Sequence, residues 1–476
     1  PINSLIVDLF YMKNILRVLV LLASVYFISC AKENYITGAE ARLSTSIDTL
    51  KFDTVFTSAG SVTRHFTVLN ENDQKLKLSA IKLMGGSQSP FKININGSAV
   101  NELANITLAA NDSLYIFVSV YVDPNAANLP FLLSDSIQIQ YNGNTRYVQL
   151  QAYGQNAIFL NHTIISSNTT WSNTLPYVIL GSLQVDTGVT LTLPAGVKIY
   201  SHANAPFIVD GTLLANGSIT QQVVFAGDRL DEPYINFPAS WPGIYFSDVS
   251  TNNRLTFTVV KNAYQAITVS GASSLTNTQL WMQQCIIDNA YQSGLYCLNA
   301  HVEVNNCLFS NSKNNIFLEL GGLYRFTNCT SVSYSTQYLL HHTPVLATQN
   351  YTNIAGIILT APMEAHFINC IFWGDHGDVE DEMVFNRQGP DAYMVNVENC
   401  IYKTTNAPVN AQIIASIANA DPAFDSIDLN HQYFDFRISN PGAPGIDQGQ
   451  PTPFLYDLDN KARDINQTDM GCYEKQ

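Results

Sequence analysis

The densest group of side chains capable of acid–base chemistry lies in one stretch of the chain, GDHGDVEDEMVFNR. Its candidates for catalysis are Asp375, His376, Asp378, Glu380 and Arg387, and Asp381 and Glu382 lie between them. Hydrolysis of a sugar linkage needs two or three carboxyl groups that face one groove, whereas elimination needs a Lys, Arg or His base, commonly beside carboxylate-bound calcium. Neighbouring residues of one loop do not converge in that way. We therefore interpret the stretch as a solvated insertion.

Other residues suited to ligand binding are scattered along the chain. Trp241, Trp281 and Trp373 could stack on sugar rings, although single aromatic residues more often fill the core of an all-β protein. Lys261 directly follows an apolar triplet, and Asp288 takes its place in the next sequence repeat. That exchange of charge predicts an exposed turn at this position.

The sequence predicts no cofactor, and calcium is the possibility left open. The stretch DLDNKARD, which ends at Asp464, is similar to a calcium loop but lacks the glycine that follows the ligands. A salt bridge from Arg463 to Asp457 or Asp459 explains it more simply. Zinc would require closely spaced thiols or histidines, and the sequence contains no C-x-x-C pair.

Cysteines recur at a regular spacing in the second half of the chain. Cys285, Cys307 and Cys329 are separated by 22 residues twice, and Cys370 and Cys400 follow after 41 and 30 residues. A second series aligns Asn262, Asn289 and Asn311. Repeats of this length stack into a solenoid, so each series predicts a ladder: buried thiols that act as small apolar side chains, and turn amides. Disulfides between stacked thiols would have poor geometry, and a nucleophilic thiol would need exposure and a base.

The pattern of apolar residues divides the chain into two β-rich parts. Residues 42–155 alternate with a period of two, as in an immunoglobulin-like β-sandwich. Residues 156–421 consist of short apolar triplets between Asn, Gly and Ser, without a helical period. Parallel pairing must then come from coiling. The predicted fold class is all-β: a β-sandwich, a right-handed parallel β-helix, and a C-terminal cap over residues 422–476.

Composition narrows the possible partners. The chain has 476 residues, 46% hydrophobic and 13% charged, with a formal net charge of −15. Such a field repels phosphate backbones, which excludes nucleic acid as a partner. A neutral ligand, or one bound through local contacts, is expected instead.

The first 30 residues read as an upstream extension followed by a signal peptide. Lys13 and Arg17 precede an apolar run, residues 18–28, that is too short to span a bilayer. The following FISC resembles a bacterial lipobox, which implies acylation of Cys30 and a tether over residues 31–41. The tetrapeptide AKEN resembles the tag that directs Bacteroidetes lipoproteins to the cell surface. Two acyl chains suffice for stable anchoring at the outer membrane.

Three further resemblances extend along the chain. The phrases VSVYVDP and VQLQAYG resemble the ASH or Hydin class of immunoglobulin-like domains. The segment WPGIYF is similar to a segment found in the coils of β-helix surface proteins of the pectate-lyase-like superfamily. The ending PGIDQG, YDLDNKARD and TDMGCYE resembles that of choice-of-anchor Q type β-helix proteins, which implies a cap over the last coil.

These features lead to the expectation of a surface lipoprotein whose β-helix binds an extended glycan without cleaving it. Two alternatives stay open. One is a polysaccharide lyase or glycoside hydrolase of the β-helix superfamily. The other is an adhesin or structural protein that contacts another surface protein.

Overall fold

The structure is a computed structural model that describes residues 34–56, 61–122, 131–271 and 277–475. Contacts divide the described residues into two compact units, one of residues 34–56, 61–122 and 131–154 and the other of residues 155–271 and 277–475. Within the described ranges, no helix has the length and apolar character needed to cross a bilayer. Cys30, the predicted acylation site, lies outside the described residues.

The first unit is a β-sandwich of two sheets. Its strands are β1 (Tyr35–Ile36), β2 (Leu43–Thr45), β3 (Thr49–Phe56), β4 (Arg64–Asn70), β5 (Lys75–Leu83), β6 (Phe91–Ile95), β7 (Glu102–Leu108), β8 (Ser113–Val120), β9 (Phe131–Tyr141) and β10 (Asn144–Gln155). One sheet has the order β1-β5-β9-β10-β3 with β7 beside β5, and the other has the order β2-β4-β8-β6. A 3-10 turn, Gly86–Gln88, precedes β6.

Alternation of side chains builds the sandwich core. In β8 the residues Leu114, Ile116, Val118 and Val120 are buried, and the residues between them point outward. They join apolar residues of the opposite sheet, including Leu78 and Ile139, in one cluster. Burial of one face of each sheet is the arrangement expected of a β-sandwich.

The second unit is a parallel β-helix. Its strands run from β11 to β20 as β11 (Ile158–Ile165), β12 (Thr169–Thr170), β13 (Tyr177–Val185), β14 (Thr190–Pro194), β15 (Lys198–Ser201), β16 (Phe207–Val209), β17 (Thr212–Asn216), β18 (Val223–Gly227), β19 (Ile244–Phe246) and β20 (Asn253–Thr256). They continue as β21 (Thr258–Lys261), β22 (Gln265–Ser270), β23 (Leu280–Gln283), β24 (Ile286–Asp288), β25 (Ser293–Asn305), β26 (Leu308–Ser310), β27 (Asn314–Thr327), β28 (Thr330–Tyr334), β29 (Leu346–Gln349) and β30 (Tyr351–Ile354). The remainder are β31 (Ile357–Thr360), β32 (Met363–Ile368), β33 (Ile371–Asp375), β34 (Met383–Asn386), β35 (Tyr393–Glu398), β36 (Ile401–Tyr402), β37 (Gln412–Ile414), β38 (Ile417–Ala418), β39 (Ser426–Asp428) and β40 (Tyr433–Asp435), with a 3-10 turn at Tyr234–Asn236.

A sheet of 26 strands winds into three faces. The first face contains β15, β18, β21, β24, β26, β28, β33, β36 and β38 in register. The second face contains β16, β19, β22, the starts of β25 and β27, β29 and β34. The third face contains β14, β17, β20, β23, the ends of β25 and β27, β32, β35 and β37. Every pairing on these faces is parallel, which confirms the predicted parallel β-helix. The two packed sheets of the first unit confirm the predicted β-sandwich.

Left-handed asparagines make the corners between faces. Asn306 (φ 50°), Asn328 (φ 51°) and Asn369 (φ 54°) each stand directly before a cysteine of the repeat. Asparagine tolerates this backbone region better than most residues do. The coil between Cys329 and Cys370 is longer than its neighbours because it contains residues 335–345 and the antiparallel hairpin β30–β31.

The recurrent cysteines form a column inside the helix. Cys285, Cys307, Cys329, Cys370 and Cys400 are buried and free, as are Cys297 and Cys472. Cys307 Sγ accepts a hydrogen bond from Cys285 N at 3.4 Å, and Cys400 Sγ accepts one from Cys370 N at 3.2 Å. Burial raises the pKa of the Cys307, Cys329 and Cys370 thiols well above the usual value, so these thiols stay protonated at neutral pH.

The C-terminal segment covers the side of the helix rather than only its last coil, where a cap was predicted. Its residues bond to the corner side chains of five coils, at Asn399, Asn369, Asn328, Asn306 and Gln284. Its apolar residues, such as Phe436 and Met470, pack on outward residues of the first face, such as Val332 and Ile371. The segment therefore shields an apolar sheet face along the helix axis.

Candidate functional site

A cleft of about 370 Å³ opens on the outer side of the first face. The turns from the first face to the second are short at residues 262–264, 289–292 and 311–313, but long at residues 228–243 and 335–345. Both long loops line the cleft, and β39–β40 adds the rest of the wall. The lining residues are Asn236, Lys261, Asn262, Asp288, Asn289, Asn311, Thr336, Gln337, Tyr338, Asn430, His431, Gln432 and Phe434.

The asparagine series predicted from the sequence stands beside this cleft. Asn289 Nδ2 donates to Asn262 Oδ1 at 2.8 Å and to Asn236 O at 2.9 Å, and Asn262 Nδ2 donates to Ile235 O at 2.6 Å. Asn311 Oδ1 accepts a hydrogen bond from Tyr334 N at 3.1 Å. Asn262 and Asn289 therefore hold the 228–243 loop against the coils and fix the shape of the cleft as well as line it.

The two long loops meet each other above the coils. The rings of Phe237 and Tyr338 lie in an edge contact with their centroids 4.9 Å apart. Tyr338 belongs to the 335–345 loop and lines the cleft. An aromatic wall beside amide side chains suits a ligand with both apolar C–H faces and hydroxyl groups.

A cation and a carboxyl group stand at equivalent positions of successive coils on the cleft floor. Lys261 pairs in register with Asp288, and Asp288 pairs with Ser310, whose Oγ donates to Asp288 Oδ1 at 2.6 Å. Desolvation raises the pKa of the Asp288 carboxyl, although the hydroxyl of Ser310 and the charge of Lys261 oppose the shift. A carboxyl group with a raised pKa can donate a proton or a hydrogen bond to a ligand oxygen. Lys261 and Asp288 therefore lie at the ends of strands on the cleft floor, and not in the exposed turn that the sequence predicted.

A histidine and a carboxylate stand at the edge of the cleft on the C-terminal segment. His431 Nδ1 lies 2.7 Å from Asp428 Oδ2, and both residues belong to the β39–β40 hairpin. This hydrogen bond lowers the pKa of Asp428. Asp428 does not line the cleft, so among the lining residues in the described parts of the chain Asp288 carries the one carboxyl group.

The acidic stretch does not assemble into a catalytic group. Asp375 pairs with Lys403 at 3.2 Å, and Asp378 pairs with His342 at 2.6 Å. Although desolvation opposes the shift, the backbone N–H of His376 and the charge of Lys403 lower the pKa of the Asp375 carboxyl, and the hydrogen bond with His342 lowers the pKa of Asp378. Glu380 is exposed. These side chains therefore serve separate surface contacts.

The other residues of the acidic stretch make local hydrogen bonds. Asp381 accepts hydrogen bonds from the backbone of Thr405 and Asn406, which lower its pKa to about 2. His376 has a left-handed backbone (φ 55°), and its N–H donates to Asp375 Oδ1 at 2.9 Å. Arg387 is exposed and donates to Asp391 O at 3.4 Å. None of them lines the cleft.

Sequence reasoning missed a buried His–Glu pair that anchors the 335–345 loop. His341 Nε2 lies 2.8 Å from Glu382 Oε1, with side-chain exposures of 1% and 0%. Glu382 Oε2 also accepts a hydrogen bond from Val345 N at 3.3 Å. A Cβ on Gly374 would stand 2.2 Å from both Glu382 Oε1 and His341 Nε2, so only glycine fits there. Glu382 is thus a core residue rather than part of a solvated insertion.

The tryptophans lie outside the cleft. Trp241 is 1% exposed, with Nε1 donating to Lys261 O at 2.9 Å, and Trp373 is buried under the C-terminal segment. Neither can stack on a ligand from solvent, which corrects their assignment as ligand-binding candidates. Trp281 is half-buried on the third face, where the Arg254 guanidinium lies 4.6 Å above its ring.

The predicted partner of Arg463 was wrong. Arg463 Nη1 pairs with Glu474 Oε2 at 2.9 Å, and its guanidinium also donates to Asn306 Oδ1 and to two backbone carbonyls. Asp459 pairs instead with Arg437 at 2.6 Å. Within the described ranges, no group of three or more His, Cys, Asp or Glu side chains is placed to hold a metal ion.

Comparisons with known proteins give only weak likenesses. No family model and no curated protein sequence matches the chain. The catalytic unit of a thermostable GH87 α-1,3-glucanase from Streptomyces thermodiastaticus is 10% identical, with 75% of this chain and 88% of that chain covered and a TM-score of 0.27. An ASH/PapD-like domain of human CEP192 is 8% identical, with 24% and 85% covered and a TM-score of 0.17. A family 123 glycoside hydrolase from Clostridium perfringens is 12% identical, with 24% and 26% covered and a TM-score of 0.18. At these TM-scores the likenesses carry no argument about substrate or mechanism.

Proposed function

We propose that this chain is a surface-anchored protein whose β-helix binds a segment of an extended glycan in the cleft without cleaving it. The observation that carries the proposal is the chemistry of the lining: amide and hydroxyl groups, the ammonium of Lys261 and the ring of Tyr338, beside one carboxyl group. Such a mixture matches a ligand with many hydroxyl groups. Inverting or retaining hydrolysis needs a second carboxyl group across the same space.

Calorimetric titration of the full chain with plant, algal and host oligosaccharides tests this proposal. At least one glycan should bind, and Lys261→Ala or Tyr338→Ala should weaken its affinity at least about tenfold, which corresponds to about 1.4 kcal/mol. Lys198→Ala is the matched control, because Lys198 is an exposed lysine of the first face outside the cleft. Absence of binding across the panel, or equal weakening by the control, would overturn the proposal.

The second candidate function is cleavage of the same glycan, favoured by the raised pKa of Asp288 beside Lys261. In that case Asp288 would supply a proton and Lys261 would stabilise negative charge or accept a proton. The bound glycan should be incubated with the full chain while reducing ends and the absorbance of unsaturated products are followed. Turnover that Asp288→Asn abolishes would replace the binding proposal with the enzymatic one.

Anchoring at the outer membrane belongs to the same proposal. Acylation of Cys30, followed by a tether over residues 31–41, would hold both units outside the membrane. Metabolic labelling with a fatty acid in a bacterial host should mark the wild-type chain and leave Cys30→Ser unmarked. A labelled Cys30→Ser chain would contradict the assignment. Accessibility of intact cells to protease would distinguish surface display from the inner leaflet.

A further inference from the structure

The outer side of the β2-β4-β8-β6 sheet carries three clustered rings that the cleft does not use. His65 on β4 is the register partner of Phe117 on β8, and Tyr115 lies two residues before Phe117 on the same strand. Side chains two residues apart on a strand point to the same face, so all three rings stand on the side opposite the sandwich core. Tyr115 is 47% exposed and Phe117 is 39% exposed.

These rings contact one another and form a platform. The centroid of His65 lies 5.5 Å from that of Tyr115 and 5.6 Å from that of Phe117. The rings of Tyr115 and Phe117 lie 6.1 Å apart with an angle of 20° between their planes. Both rings keep part of their surface exposed on the same sheet face, so they offer apolar contact area to the C–H face of a ligand.

Polar side chains and one ammonium group border the platform. Asn94 is the register partner of Phe117, and Lys92 is the register partner of Ser119 on the same two strands. The strands β4, β6 and β8 contain no Asp or Glu, although the whole chain has a net charge of −15. The exposed ammonium of Lys92, which also donates to Ser89 O at 3.4 Å, is thus a charged group of these three strands that could attract an anion to the rings.

We propose that this platform is a second carbohydrate-binding site, and that its ligand is a hexuronate residue of an acidic glycan. The C–H face of the sugar lies on Tyr115 and Phe117, its carboxylate faces Lys92, and Asn94 and Ser119 bond its hydroxyl groups. A single sugar ring matches the size of the platform.

The test uses the full chain with the cleft disabled by Lys261→Ala and Tyr338→Ala, so that only the platform is measured. Tri-galacturonate is titrated by calorimetry against a neutral galacto-oligosaccharide of the same length. Tri-galacturonate should bind at least tenfold more tightly than the neutral analogue. Added Tyr115→Ala and Phe117→Ala should abolish this binding, and Lys92→Gln alone should remove the preference for the acidic sugar.

The matched control replaces two exposed rings of the opposite sheet, Tyr147→Ala and Tyr153→Ala, which should leave binding unchanged. Equal binding of the acidic and neutral sugars, or binding that survives loss of both platform rings, would overturn the proposal. A dimer in light scattering that disappears with Tyr115→Ala would also overturn it, because the occupant would then be a second copy. Because this experiment is done with the cleft already disabled, a negative result would refute the platform proposal and would not bear on glycan binding in the cleft.

Discussion

The buried ion pair of Arg463 and Glu474 provides the sharpest test of how the C-terminal segment is held. Their side chains are 1% and 5% exposed, and the guanidinium makes hydrogen bonds to Glu474, Asn306 and the carbonyls of Asp469 and Gly471. Arg463→Met removes all of these bonds and leaves a carboxyl group buried without its cation. Loss of one partner of a buried pair costs about 3–5 kcal/mol, so we expect a decrease of that size in the free energy of unfolding.

Urea unfolding followed by tryptophan fluorescence measures this decrease in the β-helix alone. The four tryptophans, at positions 171, 241, 281 and 373, all belong to the second unit, so the sandwich does not contribute to the signal. Arg437→Met is the matched control, because Arg437 has a side chain 44% exposed and should cost below about 1 kcal/mol. Adding Glu474→Gln to Arg463→Met should restore part of the loss. If Arg463→Met costs no more than the control, the ion pair does not secure the segment.

Three further predictions concern the interior and the cleft floor. The seven described cysteines should resist a thiol reagent in the native full chain and react after unfolding, as read by mass spectrometry; native labelling of Cys307 would contradict a dry column. Asp288→Asn should stabilise the β-helix more at pH 7 than at pH 3. The raised pKa of the Asp288 carboxyl in the folded chain favours folding below the ordinary value of 3.8, and this contribution is lost as the pH rises. An equal effect of the substitution on urea unfolding at both pH values would refute this prediction. Gly374→Ala should destabilise the β-helix by about 1–3 kcal/mol, since the added Cβ would collide with Glu382 and His341. Gly442→Ala should be neutral, because the nearest neighbour of its Cβ would be 3.5 Å away. Equal unfolding midpoints of the two variants would contradict the packing around Gly374.

The coils could be predicted where they repeat without insertions. The 22-residue steps between Cys285, Cys307 and Cys329 indicated stacking because those coils have the same length. Cys370 could be placed in the same series, but its 41-residue step did not show which residues form the inserted loops, since such loops change the spacing but not the register. Periodicity therefore identifies the regular part of a solenoid and not the insertions that shape its surface.

The cleft could not be predicted because distant segments build it. Asn236, Lys261, Tyr338 and Phe434 come from four parts of the chain, and nothing in their local sequence joins them. The charges of the acidic stretch are adjacent in sequence, yet Asp375, Asp378, Asp381 and Glu382 each have a different partner in space. In the same way, Arg463 was assigned to its sequence neighbours Asp457 and Asp459, whereas folding brings Glu474 to it.

Hydrogen–deuterium exchange of the full chain, with and without a saturating bound oligosaccharide, shows whether the glycan binds in the cleft. We expect slower exchange in the peptides that cover residues 286–290, 334–339 and 429–434, which contribute the floor and two walls of the cleft. Unchanged exchange in these three peptides, with protection at residues 375–382 instead, would contradict it.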